Sequence, residues 1–106
     1  MKASDSQLLK KIKNTIAEID PMAVAILFGS RATGKARKDS DWDILILLNK
    51  PNVSLKDEEK FMHNLYDVEL ETGENISPLI YNFNDWDTKL SVTPIYNAVK
   101  KYGIVL

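Results

Sequence analysis

Apolar residues recur along this chain in two rhythms, one helical and one continuous. Leu8, Leu9, Ile12, Ile16 and Ile19 return at the spacing of a single helix face with lysines between them, and Ser4 and Asp5 are suitable caps before them. Asp20-Pro21 ends that helix, because a proline ring disfavours the helical conformation of the residue before it. Ala23 to Phe28 is then an apolar run without polar interruption that stops at Gly29, the pattern of a strand buried on both faces. Trp42 to Leu48 repeats the pattern, and Asn49-Lys50-Pro51-Asn52 breaks it.

A second helix is expected after Ser54, where Asp57, Glu58 and Glu59 fall in the first turn and favour its positive end. Phe61, Leu65, Val68 and also Leu55 are assigned to its core face, and Gly73 is the natural left-handed stop. Ile76 to Phe83 reads as a third strand, with Pro78 calling for an edge position or a bulge. Asn84-Asp85 caps a short turn around Trp86, and Pro94 starts a last helix that Gly103 closes before Ile104-Val105-Leu106. The order helix, strand, loop, strand, helix, strand, helix predicts an α/β (α+β) sandwich: a small mixed sheet flanked by helices, in one domain over residues 1–106.

Composition narrows the chemistry without naming it. With 44% hydrophobic and 27% charged residues in 106, the chain is an ordinary globular one. Its 14 Lys and Arg against 15 Asp and Glu leave a charge of −1, so no overall field draws it to nucleic acid, and phosphate binding has to be local. The absence of cysteine excludes disulfides and thiolate metal sites, and a single histidine argues against zinc. No apolar run approaches the roughly 20 residues that span a bilayer, and Met1 to Ser6 lacks a signal-peptide core, so a cytoplasmic protein without membrane contact is expected.

The distinctive stretch lies between the first two strands, from Gly29-Ser30-Arg31-Ala32-Thr33-Gly34 to Ser40-Asp41-Trp42-Asp43. A glycine directly after a buried strand lets a phosphate approach the backbone, where N–H groups and the Ser30 hydroxyl can donate to it, with Arg31 as a nearby cation. Asp41 and Asp43 are two apart at a strand start, so the pleat sets both carboxylates on one face, roughly 7 Å apart. Two such acids beside Ile44-Leu45-Ile46-Leu47 repel one another and resist desolvation unless a cation lies between them. Magnesium is the expected cation, because it takes one or two carboxylates together with substrate phosphates. Loop and acids together form a layout for in-line nucleotidyl transfer assisted by one or two metals, with pyrophosphate leaving. Either half alone would be an ordinary turn or a polar strand end; the conjunction arises by chance in about one chain per thousand of this length.

Gly-Ser, ten residues, then Asp-x-Asp resembles the signature of the minimal nucleotidyltransferases of the DNA polymerase beta superfamily. The resemblance runs from the first strand to the third and implies the nucleotidyltransferase fold. It implies that Gly29, Ser30 and Arg31 hold a nucleoside triphosphate, ATP by preference, and that Asp41 and Asp43 are catalytic ligands of Mg2+, in a two-metal site. It implies transfer of a nucleoside monophosphate, AMP, to a hydroxyl of a protein or small molecule. Members of this kind often pair as antitoxins with a HEPN-domain protein, so a HEPN-like partner is the protein contact expected. Active relatives place a third carboxylate on the next strand, where Ser77 stands here; Glu74 is the candidate substitute, with Glu71 and Glu69 on the preceding helix. That departure supports an alternative: a catalytically weak or inactive nucleotide-binding module that binds and neutralises its partner. His63 and the lysine clusters are read as solvated surface, and Trp42, opposite the aspartates, as core.

Overall fold

The computed structural model describes residues 2–106. Its elements run α1 (Ala3–Ile19), β1 (Val24–Phe28), α2 (Ser30–Thr33), β2 (Trp42–Leu48), α3 (Leu55–Thr72), β3 (Ile76–Asn82), α4 (Phe83–Asp87), α5 (Pro94–Tyr102) and β4 (Ile104–Val105). Four strands form one mixed sheet in the order β3-β2-β1-β4. β1 lies antiparallel to both β2 and β4, whereas β2 and β3 are parallel because α3 carries the chain back across the sheet. This is the small mixed sheet with flanking helices that the apolar pattern predicts.

Two apolar layers sandwich β2. On one face Trp42, Ile44, Ile46 and Leu48 pack against Leu8, Leu9, Ile12 and Ile16 of α1 and Phe61, Leu65 and Val68 of α3. On the other, Leu45 and Leu47 pack against Trp86 of α4 and Val99 of α5. With helices on both sides, β2 is buried along nearly its whole length, as its unbroken apolar run requires. β1 differs from expectation: Ala25 and Leu27 are buried, but Val24, Ile26 and Phe28 are only half-buried, because the short helices cover their face incompletely.

Several boundaries also differ. α1 begins at Ala3 rather than after Ser4 and Asp5, and Asp5 instead accepts the Lys2 N–H from within the first turn. Ser54 and Asp57 form the reciprocal cap of α3, and Gly73 closes it at φ 75. Leu55, assigned to the core, is exposed: it is the first residue of α3, whose buried face begins at Phe61. α4 is capped by Asn82, whose Oδ1 accepts the Asp85 N–H at 2.6 Å, so the turn starts two residues before the expected cap. Pro78 sits on edge strand β3, where its missing N–H costs no ladder bond. β4 was not foreseen: two residues are too few to carry a period. Among the described residues no helix is long and apolar enough to cross a membrane.

Candidate functional site

Gly29 leaves β1 at φ 73, ψ −158, a region open essentially to glycine alone. A Cβ there would run into the Asp43 carboxylate, with Asp43 Cγ 3.1 Å away. The acid therefore lies directly against the turn, and no larger residue could let the two meet. Phe28 pairs with Asp43 across the antiparallel ladder, which fixes this register. The turn opens the single helical turn α2, whose first N–H groups, those of Ser30 and Arg31, bond to no carbonyl among the described residues.

Strand alternation then sorts the neighbouring side chains. Asp43 shares its face with Leu45 and Leu47, and Trp42 goes to the opposite side, 1% exposed in the α1/α3 core. Asp41 is exposed just before the strand, and Asp43 is half-buried. Burial, and secondarily repulsion from Asp41, push the Asp43 carboxyl above its ordinary pKa. The structure thus sets Asp43 against the Gly29 turn, with Asp41 close enough to repel it and Ser30 next in the chain after Gly29.

It does not turn the Arg31 side chain toward them. The Arg31 guanidinium stacks on the Trp42 ring at 4.4 Å from its centroid. Its Nη2 donates to the carbonyls of Ser40 (2.9 Å) and Lys38 (3.2 Å), and its Nε donates to Ser40 (3.3 Å). Its carboxylate neighbour is Glu74, at 3.9 Å. The loop cation expected at the phosphates is thereby engaged on the other face of β2, leaving its backbone N–H beside Ser30.

The candidate third acids are engaged elsewhere too. Ser77 is the parallel partner of Asp43, so the register places a hydroxyl where the sequence comparison expects a carboxylate. Glu74 accepts the Trp42 indole N–H at 3.2 Å, Glu69 accepts the Ile76 N–H at 2.9 Å, and Glu71 pairs with Lys11. Among the described residues no three His, Cys, Asp or Glu side chains converge as a metal site. The hollows of about 350 and 450 Å³ beside the loop lie on the Arg31 side, and neither is lined by Asp41 or Asp43.

The Arg31–Trp42–Glu74 cluster was not visible as a unit in the sequence. The signal that could have found it is the pleat, which sends Trp42 opposite Asp43, combined with an acid in the turn leading to the adjoining strand.

Residues 10–97 match the family model described as Polymerase beta, Nucleotidyltransferase. A protein of Methanocaldococcus jannaschii, provisionally named a protein adenylyltransferase, is 33% identical over 100 residues, covering 92% of this chain and 94% of that one. Among solved structures, a toxin-antitoxin complex with AMP-PNP matches at TM-score 0.64 and 15% identity, over 91% of this chain and 69% of that one. A chain provisionally described as a minimal nucleotidyltransferase matches at TM-score 0.61 and 20% identity, over 95% and 94%. At these identities the structural matches speak for the fold.

Proposed function

The chain belongs to the polymerase beta nucleotidyltransferase family, and we propose that it transfers a nucleoside monophosphate, AMP from ATP, to a hydroxyl of a partner protein. The observation that carries this reading is the Asp43 carboxylate packed against the Gly29 turn, with Asp41 next to it. The name of the archaeal relative and the AMP-PNP in the toxin-antitoxin neighbour support adenylate and a protein acceptor. Residues 1–106 would act as one nucleotidyltransferase domain. The charge of −1 offers no general attraction for nucleic acid as an acceptor.

The donor set fits magnesium. Asp43 is half-buried and repelled by Asp41, both side chains offer oxygen ligands, and the desolvation of Asp43 and that repulsion are what a divalent cation would relieve. Magnesium is held in proteins by one or two carboxylates together with substrate phosphates, which is the number of acids Asp41 and Asp43 would offer. Held by Asp41 and Asp43, magnesium would supply charge stabilisation for the leaving pyrophosphate and alignment of the attacked phosphorus. The Ser30 hydroxyl and the N–H groups of Ser30 and Arg31 donate to the phosphate oxygens and fix the tail against the turn. The acceptor oxygen forms the new bond to the α-phosphorus, its proton leaves to water or to a base on the acceptor, and pyrophosphate departs.

ATP labelled at the α-phosphate, and separately at the γ-phosphate, tests this with magnesium and the protein encoded beside this chain. Label from the α position alone, absent with Asp41→Ala/Asp43→Ala, is expected; equal labelling by both proteins would sink the proposal.

One observation favours a second reading. With Ser77 opposite Asp43, and Glu69, Glu71 and Glu74 engaged elsewhere, no third acid among the described residues is grouped with the pair to accept the hydroxyl proton. On this reading it is a nucleotide-binding antitoxin-like module that neutralises a HEPN-type partner. Stable co-purification with the partner, and loss of its toxicity even with Asp41→Ala/Asp43→Ala, would distinguish this reading.

A further inference from the structure

The 36–41 segment carries Asp41 and is attached to the rest of the molecule at few points. Ser40 N–H donates to the Arg37 carbonyl, and Arg37 N–H donates to Ser40 Oγ, so these bonds stay inside the segment. Among the described residues, the hydrogen bonds that tie this segment to the body are those Arg31 donates to Lys38 and Ser40. Arg31 itself is well held. Its side chain is 13% exposed, its plane lies on Trp42, and Glu74 bridges Trp42 Nε1 and the guanidinium.

We propose that Arg31 is a positioning residue: gripping the Lys38 and Ser40 carbonyls from between Trp42 and Glu74, it fixes where Asp41 stands relative to Asp43. This deepens the reading above and rests on it. The fork is needed as well as the charge. Two carbonyls and an indole face are met at once by a planar guanidinium, whereas an ammonium is a point donor that cannot stack in the same way. A carboxylate pair that must close on one cation is sensitive to such support, because a free loop pays the ordering cost on every binding event. Arg31 thus acts from the side of β2 opposite the phosphate it was expected to touch.

The test uses the whole chain and two readouts other than turnover. Hydrogen exchange of the metal-free protein follows the amides of residues 38–43, and manganese resonance follows half-saturation by Mn2+ in the presence of AMP-PNP. Arg31→Lys keeps the charge and removes the fork. We expect exchange in this segment to quicken about tenfold and manganese half-saturation to rise about tenfold. Unchanged manganese binding in Arg31→Lys overturns the proposal, whether or not exchange quickens, because a charge-only role would be rescued by lysine. If Arg31→Ala fails to fold, Arg31→Lys still decides. If the natural chain takes up no manganese with the analogue, the proposed function falls, and this inference with it; that outcome is recognised by the failure of the natural chain rather than of the variant.

Discussion

The two faces of β2 divide the molecule's tasks. Toward α1 and α3 the strand presents Trp42, Ile44, Ile46 and Leu48 to a closed core whose members are almost wholly shielded from water. Toward α4 and α5 it presents Asp43, Leu45 and Leu47, with Asp41 just ahead, to a smaller core that ends short of the Gly29 turn. Trp42 and Asp43 are adjacent in the chain, yet the first is anchored and the second is held at a cost in desolvation. Stability drawn from the closed face supports charge on the open one, so substitutions on the two sides should have opposite signatures.

The largest stability effect should come from the closed face. Ile44→Ala is expected to cost about 2–5 kcal/mol and to lower the thermal midpoint by more than about 10 °C, with nucleotide binding per folded molecule retained; calorimetry with a binding titration checks both. Gly29→Ala probes the junction. Forcing a Cβ into that backbone should cost about 1–3 kcal/mol, and, unlike Ile44→Ala, should abolish metal-dependent nucleotide binding by displacing Asp43, which a titration of the folded fraction would show.

Ser77→Asp would add a carboxylate to the open face alone. Magnesium affinity with nucleotide present is expected to improve about tenfold, or roughly 1.4 kcal/mol, while metal-free stability falls because the added carboxylate repels Asp43. No improvement would mean that Ser77 does not face the pair as its register implies.

The smallest effect is in pH dependence. Asp43 is raised by burial and then by Asp41, so the folded chain holds its proton more tightly than the unfolded one, and stability falls as pH rises through the raised value. Asp43→Asn should therefore gain on the natural chain as pH rises from the ordinary carboxylate value through the raised one. Asp57 runs the other way. Hydrogen bonding from Lys50, then from the Ser54 backbone, lowers it to about 2, so its contribution is complete above the ordinary carboxylate value and is lost as pH falls toward 2. Asp57→Asn should lose on the natural chain at pH 7 and approach it in acid; melting curves across pH read both differences.

Much of this was legible in the residues, unevenly. The apolar runs of β1 and β2, the caps Ser54 and Gly73 and the edge demand of Pro78 are local signals, and the structure follows them. The glycine after β1 and the strand alternation foretold that Asp43 lies on the face opposite Trp42, because a pleat has a fixed period. What failed was direction and cover. The long Arg31 side chain can reach either face, and its choice depends on Trp42, the Ser40 carbonyl and Glu74, which only the fold assembles. The half-open face of β1 depends on how far α4 and α5 extend, and the two residues of β4 on an edge formed elsewhere.

The most direct measurement is the thermal midpoint with and without ATP and magnesium, taken on the natural chain and on Asp41→Ala/Asp43→Ala. At about a hundred times the dissociation constant, ligand should add about 2.7 kcal/mol, a rise of roughly 10 °C or more for a domain of this size, in the natural chain and not in the variant. The same rise in both proteins, or none in the natural chain at millimolar ligand, would contradict a nucleotide and metal site built on Asp41 and Asp43.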